Sequence, residues 1–212
     1  MATSTPLSDA LVRADIPLDG SSAIAPVEET EEYRLAVAQA RSCSLRKAGL
    51  VGAYATADCE AGREAYRMAV AGRGSYLWGL PGRGKTYAAA CCVRLALAEG
   101  RHARLVTASK LLDGAKAAYD GGDRHALERA SSVWLLALDD LGAERPTEWA
   151  METLTGLVDA RTASGLPTVV TSNYSLGQLR DRWGGMPGAR VASRLAGACH
   201  RVEFGGPDRR CR

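Results

Sequence analysis

A glycine-rich segment that ends in lysine constrains this chain more than any other feature. Residues 79–86 read Gly-Leu-Pro-Gly-Arg-Gly-Lys-Thr, and they lie between an apolar run, Ser75–Trp78, and an alanine-rich helical pattern, Lys85–Glu99. Glycines let a loop wrap closely, so that its backbone N–H groups point at phosphate oxygens. A lysine adds a point charge for the phosphates, and a threonine hydroxyl suits Mg²⁺. The spacing therefore predicts a nucleotide-binding loop between a strand and a helix, with Lys85 on phosphate and Thr86 on the metal.

Every residue of this loop is a candidate contact for the nucleotide. The predicted binding residues are Gly79, Leu80, Pro81, Gly82, Arg83, Gly84, Lys85 and Thr86. Arg83 is an unusual occupant of a variable position, and we expect its side chain to point to solvent.

A second motif supplies paired carboxylates. Residues 135–140 read Leu-Leu-Ala-Leu-Asp-Asp, an apolar strand that ends in two acids. Such a strand places a carboxylate at the carboxyl edge of the sheet, where nucleotides bind in folds of this class. We expect Asp139 to bind Mg²⁺ through water and Asp140 to orient or deprotonate an attacking water.

Three further polar residues have both a catalytic and a plain interpretation. Asn173 ends the next predicted strand and would face the γ-phosphate if that strand lies between the other two; otherwise it is a turn residue. Arg190 and Arg194 lie four residues apart on one helical face. They are either a solvated pair or arginines that complete the site of a neighbouring subunit.

The rest of the chain alternates strands with amphipathic helices. The predicted strands are Ser75–Trp78, Ala103–Ala108, Val133–Leu138, Thr168–Ser172 and His200–Phe204, and the predicted helices are Lys85–Glu99, Lys110–Tyr119, Thr147–Ala163, Leu176–Trp183 and Ala189–Leu195. Strands that are apolar on both faces, separated by helices, favour an α/β fold: a parallel sheet with helices on both faces.

The ends of the chain differ from this core. Residues 1–26 are rich in Ser, Thr, Ala and Pro and are predicted to form a flexible arm. Residues 27–50 contain a predicted helix, Val27–Ala48, that either docks on a partner or lies on its own domain. The core is assigned to 51–205, with Leu50–Cys59 as the candidate adenine pocket, and 206–212 form a basic tail. From Arg180 onward, eight arginines face three acids, a weak hint of an anionic partner.

Composition excludes several classes of protein. Hydrophobic residues make up 46% and charged residues 24% of the 212 residues, which is typical of a globular protein. No run of 18 apolar residues and no signal peptide are visible, so we expect a cytoplasmic protein without a membrane partner. The six cysteines lack C-x-x-C spacing, which argues against zinc and favours reduced thiols.

Taken in order, four segments resemble one known family. They are Gly79–Thr86, the run from Leu135 that ends Asp-Asp-Leu-Gly-Ala-Glu, Thr-Ser-Asn-Tyr-Ser-Leu at 171–176, and Arg-Val-Ala-Ser-Arg-Leu at 190–195. Together they are similar to the AAA+ ATPase core of bacterial helicase loaders of the DnaC and DnaI type. Arg46–Leu50 is similar to the segment that enters this core, and the resemblance covers roughly Lys47–Phe204.

The resemblance implies a function and its partners. It implies the AAA+ strand order with the phosphate-loop strand central, and ATP with Mg²⁺ as cofactors. Asn173 matches sensor 1, Arg194 matches the arginine finger, and Arg190 is a second basic residue toward the nucleotide. Proteins of this family hydrolyse ATP weakly, contact single-stranded DNA and deliver a replicative DNA helicase of the DnaB type onto it. Their ATP-bound subunits form a spiral, which implies an ATP-dependent homo-oligomer.

The chain departs from the family pattern in three places. Asp140 stands where many AAA+ proteins have glutamate, which predicts slow hydrolysis and a switch more than a motor. The sequence shows no C-terminal helical lid, as in loaders. Its short N-terminal part lacks zinc-ligand spacing, so any grip on a helicase falls to the arm and the Val27–Ala48 helix.

Three other functions remain open at this point. The IstB-type transposition helper has the same core but acts on a transposase and double-stranded target DNA. A small-molecule P-loop kinase would need a lid and an acceptor pocket with several basic residues. A binding module without hydrolysis would need ATP only to hold its shape.

Overall fold

The computed structural model describes residues 31–117 and 125–209. Contacts divide the chain into two units, Met1–Ala40 and Arg41–Arg212. The described residues of the first unit all belong to helix α1, Glu31–Lys47, whose acidic first turn and basic last turn complement the helix dipole. The predicted arm, the first four residues of the predicted helix at 27–30 and the last three residues of the basic tail lie outside the described residues.

The second unit alternates strands and helices. The strands are β1 (Gly74–Trp78), β2 (Ala103–Thr107), β3 (Leu135–Leu141), β4 (Thr168–Ser172) and β5 (Cys199–Glu203). The helices after α1 are α2 (Glu60–Val70), α3 (Lys85–Ala98), α4 (Ala108–Ala117), α5 (Ala126–Ser132), α6 (Glu148–Ala163), α7 (Leu176–Trp183) and α8 (Gly185–Ala198), with a short 3₁₀ helix at Gly52–Thr56.

The five strands form one parallel sheet in the order β2-β3-β4-β1-β5. β4 lies between β1 and β3, as the interpretation of Asn173 as a catalytic residue requires. The phosphate-loop strand β1 has a neighbouring strand on each side, as a central strand should. The middle strand of the five is β4, however, so β1 is an interior strand and not the central one. Because all five strands run the same way, the segments that follow them meet at one edge.

Each face of the sheet carries its own hydrophobic core. Successive residues of a strand point to opposite faces, so Leu136 and Leu138 join one core while Leu135 and Ala137 join the other. The first core packs against α4, α6, α7 and α8, and the second against α2 and α3. The predicted α/β fold with helices on both faces is confirmed.

Local sequence explains where two of these helices begin. Thr147 precedes α6, and its hydroxyl accepts a hydrogen bond from Ala150 N at 3.2 Å. Ser175 precedes α7 and forms a reciprocal pair with Gln178, in which each side chain accepts from the other residue's backbone N–H. These contacts satisfy N–H groups that a helix leaves unpaired at its start.

The structure differs from the predicted elements most at α2, α5, α8 and β3, and several other bounds shift by one or two residues. Helices α2 and α5 were not predicted, and α8 begins at Gly185, four residues before its predicted start. Strand β3 begins two residues later than predicted and continues through both aspartates to Leu141. Among the described residues, no helix is both long and apolar enough to cross a membrane.

Candidate functional site

The phosphate loop turns the chain from β1 into α3. Gly82 and Gly84 have φ values of +76° and +89°, in the left-handed region that glycine adopts without strain. Gly84 is also the residue that caps α3 at its N-terminus. The predicted loop between a strand and a helix is therefore present, at the positive end of the helix dipole.

Lys85 is held at the inner side of this loop. Its side chain is buried, and Nζ donates to Gly79 O at 2.6 Å, to Leu80 O at 2.8 Å and to Asn173 Oδ1 at 3.0 Å. A buried ammonium needs such acceptors to offset its desolvation. The same donors can turn to phosphate oxygens, which are stronger, charged acceptors.

Asp139 is buried on β3 beside the lysine. Burial raises the pKa of its carboxyl, while hydrogen bonds from Thr171 and Thr86 and the charge of Lys85 lower it. Thr171 Oγ1 donates to Asp139 Oδ1 at 2.6 Å. A carboxylate and a hydroxyl so close together are oxygen ligands that suit Mg²⁺. The Thr86 hydroxyl also donates a hydrogen bond to Asp139, so the oxygens of Thr86 and Asp139 fit the predicted metal.

Asp140 has an unusual backbone. Its φ is +56°, and it is the one described residue other than glycine with a positive φ. Its N–H donates to Thr171 Oγ1 at 2.9 Å, and its Oδ1 accepts from Asn173 Nδ2 at 3.3 Å. Such backbone strain concentrates at functional sites. Asn173 thus contacts both Lys85 and Asp140, which joins the ends of β1, β3 and β4.

The turn after Asp140 is held by two residues that sequence reasoning missed. Gly142 N donates to both carboxylate oxygens of Glu144, at 2.9 and 3.1 Å, and Gly142 O accepts from Arg182 Nε at 2.8 Å. Glu144 is buried, and burial raises the pKa of its carboxyl. Glu144 lies three residues after β3 and Arg182 lies on α7, and only the turn geometry shows that both bind the backbone of Gly142.

These residues surround a cavity of about 970 Å³. The predicted residues that line it are Pro81, Gly82, Arg83, Gly84, Lys85, Thr86, Asp139, Asp140 and Asn173. From the candidate adenine segment, Val51, Ala53 and Tyr54 line the same cavity. Gly79 and Leu80 take part through their carbonyls, which accept from Lys85.

The end of the chain adds a residue that the sequence did not single out. Arg209 lines the cavity, and its N–H donates to Gly82 O at 2.9 Å. Asp208 lies so close to Gly82 that a side chain at position 82 would collide with its carboxylate. The segment after β5 therefore runs across the phosphate loop and brings a cation to it.

The expectation that Arg83 points to solvent is wrong. The residue is half-buried and lines the cavity, and its Nη1 is buried without a hydrogen-bond partner among the described residues. The loop folds back under the segment after β5, which leaves this side chain less room in solvent. A cationic nitrogen that lacks an acceptor fits a site built for an anion.

Arg190 and Arg194 lie elsewhere. Both are exposed on α8 and are not among the residues that line this cavity. Arg194 Nε donates to Asp159 Oδ1 on α6 at 2.7 Å. Within one chain, the structure does not bring either arginine to the predicted nucleotide.

Comparisons with known proteins agree with this geometry. Residues 74–212 match the family described as IstB-like ATP binding protein. The chain is 35% identical over 88 residues to the protein YdaV of Escherichia coli strain K12, which is 41% of this chain and 36% of that protein. The chain thus spans little more than a third of the length of this curated relative.

Two solved structures share the fold. A crystal structure of DnaI has 27% identity and a TM-score of 0.62, and the match covers 69% of this chain and 84% of that one. A crystal structure of the DnaC helicase loader has 24% identity and a TM-score of 0.58, over 70% of this chain and 92% of that one. With its P-loop, parallel sheet and family match, this chain belongs to the IstB-like ATP-binding proteins and carries an AAA+ ATP-binding domain.

Proposed function

We propose that this chain is an ATP-dependent loader that binds a replicative DNA helicase and delivers it onto single-stranded DNA. The observation that carries the proposal is the meeting of Lys85, Asp139, Asp140 and Asn173 at one cavity. A protein that only holds ATP does not need a second carboxylate such as Asp140, with its left-handed backbone, at the cavity. The likeness to DnaI supports a loader among the possible AAA+ functions.

Binding is assigned to the loop and the buried aspartate. The loop N–H groups and the positive end of α3 attract phosphate oxygens. Lys85 exchanges its carbonyl acceptors, Gly79 O and Leu80 O, for phosphate oxygens. Thr86 and Asp139 would hold Mg²⁺, which neutralises charge on the phosphates when it is bound.

Hydrolysis is assigned to Asp140 and Asn173. Their side chains are joined at 3.3 Å, so one water can contact both a carboxylate and an amide. Asp140 accepts a proton from the attacking water, and Asn173 orients that water. Aspartate reaches less far than glutamate, so the step is slow and the ATP-bound state persists.

The arginines of α8 are assigned to the neighbouring subunit. Because Arg190 and Arg194 do not line the cavity of their own chain, a role at the nucleotide requires a second copy. A guanidinium supplied in trans stabilises charge that develops during phosphoryl transfer. ATP then favours a homo-oligomer, since the nucleotide lies between a loop and the arginines of the next chain.

The partner surfaces are assigned to the two ends of the chain. Helix α1 has no buried residue along its length, and its apolar Tyr33, Leu35 and Val37 are about half exposed. Tyr33 and Val37 lie four residues apart on one face of the helix, with Leu35 off to one side, and this thin apolar stripe fits a groove on a protein partner. Of the arginines from Arg180 onward, those without a role at the nucleotide site, such as the exposed Arg201, supply positive charge for a DNA backbone.

Affinity capture tests this proposal. The bait is the Asp140→Asn variant with ATP, which holds the ATP-bound state, and the source is a lysate of the organism. The proposal expects the replicative helicase among the bound proteins, identified by mass spectrometry. A Lys85→Ala bait is the matched control and should recover none. A bait that never recovers the helicase, in either state, overturns the loader assignment.

A second candidate is the IstB-type transposition helper, which the family match favours. It uses the same ATP chemistry but acts with a transposase on double-stranded DNA. The same capture separates the two candidates, because recovery of a transposase instead of a helicase supports the second one. By contrast, the AAA+ match gives no support to a small-molecule kinase.

A further inference from the structure

Two cysteines meet where α2 packs on α3. Cys59 caps the N-terminus of α2 in an extended conformation, with φ −162° and ψ 156°. It is half-buried, so small reagents can reach it. Cys91 lies in the middle of α3 and is fully buried. The phosphate loop leads directly into the same helix α3.

Close packing brings the Cys91 thiol to the start of α2. A Cβ on Gly62 would lie 2.5 Å from Cys91 Cβ and 2.7 Å from Cys91 Sγ, so the two helices approach at a residue without a side chain. Cys91 Sγ lies 3.7 Å from Cys59 O and 3.8 Å from Asp58 Oδ1. The buried thiol is therefore directed at the backbone and side chain of residues 58–59.

The surroundings make the two sulfurs chemically different. A hydrogen bond from the Cys91 thiol, the Gly62 N–H and the charges of Arg209 and Arg63 together lower the pKa of Cys59 to about 6. Burial opposes this shift but does not cancel it. The hydrogen bond to Cys59 and burial raise the pKa of Cys91. The lowered pKa favours the thiolate form of Cys59, and the raised pKa keeps Cys91 as its protonated partner.

The other charged groups around the pair also favour this arrangement. Arg63 Nη1 donates to Asp58 Oδ1 at 2.7 Å, and Arg94 Nη2 lies 3.7 Å from the same oxygen. The Asp58 carboxylate is thus held by two cations and contributes to the raised pKa of Cys91. A thiolate at a helix N-terminus beside a second thiol is the environment of reactive cysteines.

We propose that Cys59 and Cys91 form a peroxide-reactive dithiol site, in which Cys59 is oxidised first and Cys91 resolves it as a disulfide. The Cys59 thiolate attacks one oxygen of hydrogen peroxide; the O–O bond breaks, Cys59 becomes a sulfenic acid and the other oxygen leaves as hydroxide. The Cys91 sulfur then attacks the Cys59 sulfur, the S–S bond forms, and the sulfenic oxygen leaves as water with the Cys91 proton.

Two other thiols provide an internal comparison. Burial raises the pKa of both Cys92 and Cys199 to about 12. Cys92 follows Cys91 on α3, so its side chain points in a different direction around the helix. Cys199 lies on β5, the edge strand that pairs with β1. Both are expected to stay unmodified under peroxide doses that consume Cys59.

The test uses the full chain and two readouts. First, wild-type protein receives hydrogen peroxide, free thiols are alkylated, and peptides are mapped by mass spectrometry without reduction. The expected product joins the peptides of Cys59 and Cys91 and is lighter by two hydrogens than the free pair. Second, the rate of Cys59 alkylation by iodoacetamide is followed against pH; it should reach half its plateau near pH 6.

Variants sharpen the result. Cys91→Ser removes the resolving thiol, so Cys59 should stop at sulfenic acid, trapped by dimedone, and its alkylation midpoint should move to higher pH. Cys92→Ser should leave both readouts unchanged. The proposal is overturned if wild-type protein forms no Cys59–Cys91 disulfide, or if Cys59 is alkylated with the same pH profile in wild type and Cys91→Ser. None of these readouts needs ATP, so they do not depend on the proposed function.

Discussion

At the scale of single residues, the site combines one buried carboxylate with one exposed carboxylate. Asp139 is buried and hydrogen-bonded, whereas its neighbour Asp140 is exposed on a strained backbone. In the proposed mechanism, the buried carboxylate would hold the metal and the exposed carboxylate would meet the attacking water. The two adjacent aspartates differ in exposure because β3 continues through both of them.

The burial of Asp139 predicts a cost to stability. Because burial raises the pKa of this carboxyl, the folded state holds the proton more tightly than the unfolded chain does. The ionised carboxylate therefore opposes folding at pH values above its folded pKa, and the cost vanishes as the pH falls below the unfolded value. Without nucleotide, Asp139→Asn should melt at a higher temperature than wild type at pH 7.5.

The gap in melting temperature should shrink as the pH approaches the ordinary range of aspartate, about 4. The control is Asp113→Asn, a change at an exposed aspartate on α4, which should give no such pH-dependent gap. Differential scanning fluorimetry across this pH range measures both variants. A lower melting temperature for Asp139→Asn at neutral pH would contradict the account.

At the scale of elements, one buried arginine connects several segments at the amino ends of β3 and β4, opposite to the candidate site. Arg161 on α6 is 1% exposed, and burial lowers its pKa to about 10, which leaves it charged at neutral pH. Its acceptors are Thr168 Oγ1 and the carbonyls of Ala130, Ser131, Val133, Trp134 and Pro167. The guanidinium thus joins α6 to the segments that enter β3 and β4, the strands that carry the site.

Removal of this side chain should be costly. Arg161→Ala leaves several buried carbonyls without a donor, and each costs about 1–3 kcal/mol. We expect a loss of at least about 3 kcal/mol in the free energy of unfolding, measured by urea titration. Arg145→Ala, at an exposed position before α6, should change it by no more than about 0.5 kcal/mol. Equal effects of the two changes would refute the structural role of Arg161.

Sequence patterns predicted the strands well and some helices poorly, for physical reasons. β1 and β4 are short apolar runs bounded by glycine or proline, so their limits were clear. α2 was missed because its buried face consists of small residues with one tyrosine, as at Gly62, Ala65 and Ala69. The start of α8 contains glycine and proline, which usually end helices, although the first turn tolerates both.

Some residues of the site could likewise be predicted from local sequence patterns, and others could not. Lys85, Asp139 and Asn173 follow strands within recognisable motifs, so their meeting could be predicted once the strands were ordered. Arg209 lies more than 120 residues from the phosphate loop in the sequence. Its position depends on β5 pairing beside β1, which puts the segments after both strands at one place. No local pattern encodes that pairing.

At the scale of the whole molecule, the proposed ATPase site needs an arginine from a second chain. Arg194 is paired with Asp159 in its own chain and is not among the residues that line the cavity. Exposed pairs of this kind contribute less than about 1 kcal/mol, so assembly can exchange the partner at little cost. An arginine supplied by a second chain can be detected by the ATP hydrolysis of mixtures of two inactive variants.

Arg194→Ala and Lys85→Ala should each abolish most ATP hydrolysis when alone. Mixed subunits pair an intact loop from one variant with an intact arginine from the other, so activity should partly return. Phosphate release against mixing ratio measures this. The control mixture, Lys85→Ala with the Lys85→Ala, Arg194→Ala double variant, should stay inactive. A mixture of the two single variants that stays equally inactive would contradict a trans arrangement.

The most direct test of the central claim is a loading assay with purified components. The replicative helicase of the organism is mixed with a closed circle of single-stranded DNA, ATP and this protein, and helicase retained on the DNA is measured after gel filtration. If this chain loads a helicase, wild-type protein should raise the amount of retained helicase severalfold, and Lys85→Ala should not. Equal retention with wild type, with Lys85→Ala and without the protein would contradict the claim that this chain loads a helicase.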